Sequence, residues 1–216
     1  MNIKKSFNSF LDAIFPTGVT CLYCGKETDS DVNGLCYECA SALRQNGKFG
    51  EGYDEVTVYS AFLYDGLARK IILKAKDSDS PHLTRTMAKY VAELYKIVGK
   101  ECDLIAYVPC SGKNLRKRGY DHMKNTAKFL SDEIGVPTVK ALKRTGKSKD
   151  QTEVRNEERK RNVENAFIGI NADKIKGKTV LIIDDVVTTG ATLNACAKVL
   201  RKAQPKEVVC FTFAKA

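Results

Sequence analysis

The sequence predicts an α/β protein: a mainly parallel sheet flanked by helices, preceded by a small cysteine-bearing module. Three observations carry that expectation. From residue 55 onward, strand-like apolar segments alternate with helical stripes. Four of the eight cysteines fall in two C-x2-C pairs, Cys21 with Cys24 and Cys36 with Cys39. Near the end, four apolar residues at 180–183 run straight into two adjacent carboxylates, Asp184 and Asp185. A chain of 216 residues can bury one sizeable core and still carry a satellite module. Its hydrophobic and charged fractions, 43% and 29%, are those of a globular protein and exclude a disordered or fibrous class.

The opening stretch "MNIKKSFNSFLDAIF" has two early lysines, as an export signal would. Its apolar residues recur instead at Ile3, Phe7, Phe10, Leu11 and Ile14, with Asn8, Ser9 and Asp12 between them. That spacing predicts an amphipathic helix rather than an unbroken secretory core. No apolar run approaches the roughly 20 residues of a membrane span. The expectation is a cytoplasmic protein without membrane insertion.

Cys21, Cys24, Cys36 and Cys39 form C-x2-C-x11-C-x2-C. Each pair can turn tightly enough to aim two thiolates at one metal ion, and two pairs complete a tetrahedral site. Gly25 and Gly34 permit the turns, and neither histidine lies in this segment. Two disulfides compete with this reading, as does a redox C-x2-C. Disulfides fit poorly with four further single cysteines and no export signal, and a redox pair normally stands alone beside a βαβ unit. The spacing therefore predicts a structural zinc site, closed because four cysteines leave no open position. Cys196 and Cys210 sit in apolar settings and are expected to be packed thiols. After Cys39, "ASALRQNGKFGEGYDE" predicts a helix end and then a glycine-rich linker. The expected boundary lies near residue 50, with the N-terminal helix and zinc module at 1–50 and the larger domain at 51–216.

In the larger domain "EVTVYSAFLY" alternates like a strand and "GLARKIILKAK" reads as a helix. Leu83, Met87, Val91, Leu94, Tyr95 and Val98 form a second helical stripe. "DLIAYVP" is a short apolar strand ended by proline, and Met123, Ala127, Leu130 and Ile134 mark a helix closed by Gly135. "TVKALKR", "ENAFIGI", "KTVLIID" and "EVVCFTF" supply further strands, with a helix at 190–203. Ligands of such sheets bind beyond the carboxyl ends of strands. The segments from Pro109, Arg144 and Asp184 onward are the candidate places.

The net charge of +10 is unevenly spread. Residues 1–50 hold five basic and five acidic side chains, whereas 108–161 hold fifteen and seven. Such a local excess points to an anionic partner, a phosphorylated small molecule or nucleic acid. A solvated basic face is the simpler alternative.

After the two carboxylates, Thr188, Thr189, Gly190, Ala191 and Thr192 lead into a helix. A helix start with free backbone N–H groups, small residues and hydroxyls is a cradle for phosphate. Carboxylates a few residues earlier repel phosphate but accept hydrogen bonds from hydroxyls. A ribose 5-phosphate meets both demands. An ordinary turn with threonine capping would explain one Thr-Gly pair, but not the whole arrangement. A Walker loop is excluded for want of a Gly-Lys-Ser/Thr ending.

"VLIIDDVVTTGAT" resembles the phosphoribosyl pyrophosphate (PRPP) motif of type I phosphoribosyltransferases. The chain as a whole resembles the ComF competence family, in which a four-cysteine zinc module precedes such a domain. "FPTGVTCLYCG" with "LCYEC", "YDGLARKIILKAK", "VPCSGKNLRKRGYD" and "QTEVRNEERKRNVENAF" carry that likeness over nearly the full length. The resemblance implies a type I phosphoribosyltransferase-like sheet, with Asp184 and Asp185 as catalytic residues that hold the ribose 2′- and 3′-hydroxyls. It implies a 5′-phosphate at Thr188 through Thr192 and a pyrophosphate loop at Pro109, Cys110, Ser111, Gly112 and Lys113. Arg116 and Arg118 would meet the pyrophosphate, with Mg²⁺ accompanying PRPP. Residues 145–162, with Gln151, Arg159 and Asn162, correspond to a mobile loop over the site. The chain departs from the family in lacking a second proline near Cys110, and in Asp121-His122 where Asn-Gln often stands. His122 is expected to be a polar surface residue.

Three functions follow from the resemblance: a PRPP-using transferase, a competence protein binding single-stranded DNA through 108–161 beside the DNA-uptake machinery, or a PRPP sensor without turnover. Tyr107, Tyr120 and Phe129 are the aromatic residues that could stack bases beside the basic stretch. The acceptor, a general base and the oligomeric state, a dimer included, stay open. Adjacent charges at 184 and 185 should repel, so the empty protein is expected to lose little by their removal.

Overall fold

The structure, a computed structural model, describes residues 20–29, 31–46, 50–77, 80–145 and 166–216. The amphipathic stripe from Ile3 to Ile14, and Lys147, Lys149, Gln151, Arg159 and Asn162, lie outside the described residues. The elements, in chain order, are α1 (Tyr37–Ser41), β1 (Glu51–Tyr53), β2 (Val56–Leu63), α2 (Gly66–Lys76), α3 (Leu83–Val98) and β3 (Leu104–Tyr107). They continue with α4 (Gly112–Arg118), α5 (His122–Ile134), β4 (Leu142–Arg144), β5 (Phe167–Gly169), α6 (Ala172–Ile175), β6 (Thr179–Val187), α7 (Ala191–Arg201) and β7 (Glu207–Lys215).

The main sheet has the order β1-β2-β7-β6-β3. Only β1 runs antiparallel to its neighbour, and β2, β7, β6 and β3 are parallel. β4 and β5 form a separate antiparallel pair. Alternation along the strands sorts their side chains onto two covered faces. Leu181, Ile183, Phe211 and Phe213 pack with α2, α3 and α5 on one face. Val180, Ile182 and Cys210 pack on the other with α7, β5 and Ile175 of α6. Cys196 and Cys210 are fully buried there, as packed thiols. No described helix is long and apolar enough to cross a membrane.

Two segments differ from the expectation. Residues 51–53, read as linker, pair with β2 through a turn in which Asp54 takes φ 50°. Residues 112–118, expected as loop only at Gly112 and Lys113 and otherwise without an assigned element, form a short helix because Ser111 caps it by accepting the Asn114 N–H at 3.2 Å.

The four-cysteine segment is fastened to the helical face. Leu22, Leu35 and Cys36 share one apolar cluster with Leu83, Met87 and Tyr90. Polar ties add to it: His82 Nε2 lies 2.9 Å from the Leu22 carbonyl, and Asn33 donates to Glu93 at 2.9 Å. Gly34 has φ +87°, and a Cβ there would sit 2.6 Å from Leu22 Cδ1 and 3.0 Å from Thr86 Oγ1. Any larger residue would hold the segment off the helix. Gly34→Val should therefore lower Tm, with the loss of protection mapped by hydrogen exchange to residues 20–46 and the first turns of α3.

Candidate functional site

β3 and β6 lie side by side, with Tyr107 opposite Ile183 and the Val108 N–H donating to the Ile183 carbonyl at 3.0 Å. After β3 the chain turns to α5 on one face of the sheet; after β6 it turns to α7 on the other. Adjacent parallel strands whose connections leave to opposite faces open a crevice at their carboxyl ends, where ligands of such sheets bind. The 109–113 loop and the 188–192 loop therefore flank one crevice. They are far apart in sequence and follow neighbouring strands because of strand order alone.

Asp184 and Asp185 lie within β6, which keeps pairing with β7 as far as Val187 opposite Lys215. The strand thus runs three residues past the expected "KTVLIID", and both carboxylates lie inside it rather than at its end. Because the pair belongs to a strand, its side chains leave on opposite faces. Asp185, 6% exposed, turns to the face of α2 and α5. There Lys76 Nζ lies 2.9 Å and His122 Nε2 2.6 Å from its Oδ2. Burial works against the Asp185 charge, but the His122 hydrogen bond and the Lys76 ammonium outweigh it and hold the carboxyl below its usual range. Asp184 turns to the side of Cys196, Cys210 and Arg144 and accepts the Asp185 N–H at 2.9 Å. Burial and the neighbouring Asp185 charge push its carboxyl well up.

His122, expected on the surface, is 5% exposed and bonded to the carboxylate. The reason is the turn before it. Asp121 Oδ1 accepts the N–H groups of Met123 and Lys124, which starts α5 and points His122 inward. Sequence reasoning missed both partners of Asp185. The departure at Asp121-His122 was the available signal for one, and Lys76 within "LKAK" gave none.

Thr188 and Thr189 are exposed at the turn, and Ala191 and Thr192 are half-buried at the start of α7. The first backbone N–H groups of that helix have no carbonyl one turn back, so they face the crevice end as donors. Gly190 makes the turn with φ 72°, and a Cβ there would meet Tyr53 Cβ at 2.4 Å and its ring at 2.8 Å. The β1 hairpin that the sequence reading missed is thus pressed onto this loop. Asn194 secures the arrangement by donating to the Gly190 carbonyl at 3.2 Å and accepting the Glu55 N–H at 3.2 Å. Gly190→Ala should cost about 1–3 kcal/mol in backbone strain alone and displace Tyr53 as well. Thermal melts of Gly190→Ala with and without Tyr53→Ala measure the two parts; the ring contacts should be relieved and the strain should remain.

On the other side of the crevice, Cys110 and Ser111 are half-buried and Gly112, Lys113 and Arg116 exposed, with Arg118 half-buried. Asp121 Oδ2 accepts the Cys110 N–H at 3.1 Å and so ties this loop to α5. Burial and the Asp121 charge push the Cys110 thiol up to about 11, which leaves it protonated and unreactive. Of the aromatic residues near the basic stretch, Tyr107 and Phe129 are buried in the core. Tyr120 donates its hydroxyl to the carbonyls of Ala75 and Asp77.

The sulfur atoms of Cys21, Cys24, Cys36 and Cys39 all lie within 4.8 Å of one another. A tetrahedral zinc with Zn–S near 2.3 Å needs about 3.8 Å between sulfurs, so the cluster can hold such an ion. Burial opposes ionisation of Cys21, but backbone hydrogen bonds at Cys24, Cys36 and Tyr23 outweigh it and bring the thiol down to about 7. Burial and the neighbouring thiols push Cys39 up. Thiols so crowded ionise together only around a cation.

Comparison with known proteins agrees with this geometry. The phosphoribosyl transferase domain model matches residues 125–216, which includes β6 and its loop but not the 109–118 segment. Competence protein F of Haemophilus influenzae is 23% identical, over 91% of this chain and 96% of that protein. Competence protein ComFC of Bacillus subtilis is 22% identical, over 93% of this chain and 79% of that protein. A ribose-phosphate pyrophosphokinase of Pyrococcus furiosus is 24% identical, over 77% of this chain and 59% of that protein. The chain is thus similar over most of its length to competence proteins F and ComFC, its residues 125–216 match the phosphoribosyl transferase domain, and a four-cysteine cluster precedes them.

Proposed function

We propose that the part at 51–216 binds PRPP together with Mg²⁺, and that the module at 1–50 is held in shape by zinc on Cys21, Cys24, Cys36 and Cys39. The observation that carries the PRPP reading is the crevice itself. A helix start with free N–H groups, a carboxylate pair and a basic loop lie within or just beyond the carboxyl-terminal halves of the adjacent strands β6 and β3, an arrangement that supports the order 5-phosphate, ribose and pyrophosphate. Thr188, Thr189, Gly190, Ala191 and Thr192 would take the 5-phosphate through backbone N–H groups and hydroxyls. Asp184 and Asp185 would accept hydrogen bonds from the ribose hydroxyls and hold the sugar as charge develops on its ring. Cys110, Ser111, Gly112 and Lys113, with Arg116 and Arg118, would surround the pyrophosphate. Mg²⁺ bound with PRPP would neutralise the leaving oxygens. The raised Asp184 carboxyl is compatible with this role, since burial and Asp185 disfavour its charge in the empty protein and a cation or hydroxyl donor at that oxygen would favour it again. No described side chain is placed as a general base, so the residues support binding and positioning before they support turnover.

Incubation with PRPP and Mg²⁺, reading both equilibrium binding and pyrophosphate release, tests this. Saturable binding is expected, and release separates a transferase from a sensor. A chain that binds no PRPP would end the reading.

The reading extends, through the family resemblance of the sequence motifs, to DNA uptake, with single-stranded DNA as partner and the cytoplasm as its place; the relatives' names say competence and no more. The exposed Lys113, Arg116 and Lys117 of α4 favour phosphate contacts. With Tyr107 and Phe129 buried, such binding would rest on charge rather than base stacking. Affinity should then fall steeply with salt, and each lysine or arginine removed from α4 should lower the log–log slope by roughly 0.7. Binding that ignores salt would contradict a phosphate-led contact.

A further inference from the structure

Asp185 is gripped from two helices at once. Lys76 ends α2 and His122 begins α5, and both meet the same oxygen, Oδ2. The side chains of His122 and Asp185 are 6% and 8% exposed, and that of Lys76 24%, so the group is largely shut off from water. Its members are braced. The Tyr120 hydroxyl binds the carbonyls of Ala75 and Asp77, on either side of Lys76, and so fixes the backbone from which the ammonium extends. Two residues later His122 closes the group, while Asp121 between them caps α5 and holds the Cys110 N–H. Three consecutive residues thereby tie the end of α2, the 109–113 loop and the carboxylate into one unit.

That unit is costly to build. A buried ion pair is often no more stabilising than apolar side chains of the same volume. His122 also leaves its Nδ1 buried without a hydrogen-bond partner, a cost that a packing residue would not incur. The arrangement gives one thing that apolar packing cannot, a carboxylate held charged in a single orientation next to Asp184 and the 188–192 turn.

We propose that Lys76 and His122 are positioning residues for ligand recognition: they fix Oδ2 of Asp185 so that its other oxygen meets a hydroxyl of a 5-phosphorylated ribose. This rests on the PRPP reading above and adds what sets affinity at the ribose end. Both residues act through Asp185 and touch no reacting atom. Their loss should weaken every ligand that carries the ribose hydroxyls and spare pyrophosphate, which carries none.

Calorimetric titration of the full chain with three probes tests this: ribose 5-phosphate, PRPP with Mg²⁺, and pyrophosphate with Mg²⁺. The variants are Lys76→Met, His122→Leu and His122→Gln, each titrated well below its own melting midpoint. Lys76→Met and His122→Leu should lose about tenfold or more in affinity for both ribose ligands, the size of one charged hydrogen bond. Pyrophosphate binding should stay within about twofold, and His122→Gln should recover, because its amide can donate to Oδ2 in place of the imidazole. Ribose 5-phosphate affinity equal to the parent's in both Lys76→Met and His122→Leu would overturn the proposal. So would an equal loss of pyrophosphate binding, which is what a merely structural role produces, or a His122→Gln no better than His122→Leu. Should Lys76→Met fail to fold, the His122 pair decides alone. A parent chain that binds neither ribose ligand would instead overturn the PRPP reading, and this inference with it.

Discussion

Asp185→Ala should destabilise the empty protein, whereas Asp184→Asn should stabilise it at neutral pH. The two carboxylates are neighbours in sequence but opposites in surroundings. Removing Asp185 leaves Lys76 and the buried His122 without their acceptor. Breaking a buried pair costs about 3–5 kcal/mol; with Lys76 24% exposed, about 2–4 kcal/mol is expected here. For a chain of this size that is a fall in Tm of roughly 5–15 °C. Among the described residues no cation is in hydrogen-bond contact with Asp184, and burial and Asp185 disfavour its charge more than the more distant Lys76 and Arg144 support it.

The pH dependence separates them further. The folded-state pKa of Asp185 is depressed, so its stabilisation is full above the unfolded value near about 3.9 and is lost as pH falls through the folded value. That of Asp184 is raised, so its contribution is full below about 3.9 and is lost as pH rises through the folded value. Asp184→Asn should remove that decline and flatten the stability curve between acid and neutral pH. Melts across pH 3 to 8 check both signs. The idea that the pair merely repels itself, and that the empty protein loses little without it, therefore fails for Asp185.

The second large effect concerns metal. The chain should carry one zinc, and stripping it should unfold the 20–46 segment, because the four sulfurs within 4.8 Å are drawn together by a shared cation and, once it is gone, protonate and lose the bonds that hold the two C-x2-C turns. Structural zinc contributes on the order of 10 kcal/mol in small modules, so the loss should be complete rather than partial. The damage should not stop there. Leu22, Leu35 and Cys36 share an apolar cluster with α3, so amides of Leu83 to Tyr90 should lose protection too. Cys196 and Cys210 on the far face should keep theirs. Metal binding releases thiol protons, so affinity should fall on acidification. Elemental analysis with hydrogen exchange before and after chelation measures this; a metal-free chain with four oxidised cysteines would contradict it.

Local pattern carried much of the architecture. The stripe in "GLARKIILKAK" became α2 with the same limits, Gly66–Lys76, because hydrophobic periodicity acts within one element. The run at 180–183 identified an interior strand because a strand covered on both faces must be continuously apolar. What escaped depends on distant partners. Glu51–Tyr53 reads as linker, since Gly50, Gly52 and Asp54 suit turns, and it becomes a strand only by pairing with β2. His122 reads as surface until α5 is laid against β6, 63 residues away in sequence. The carboxylate pair was legible as a site, while the contrast between its members was not. Strand alternation sends them to different faces, and only the fold says what waits on each.

The account turns on one claim, that the turn at 188–192 is the phosphate cradle and the 109–113 loop serves the far end of the ligand. Backbone amide shifts followed by NMR, during titration first with ribose 5-phosphate and then with PRPP and Mg²⁺, test it most directly. Ribose 5-phosphate should move the amides of Thr188 through Leu193 and leave those of Cys110 through Asn114 in place, and PRPP should move both sets. Amides at 188–193 that stay fixed while either ligand binds would contradict the account.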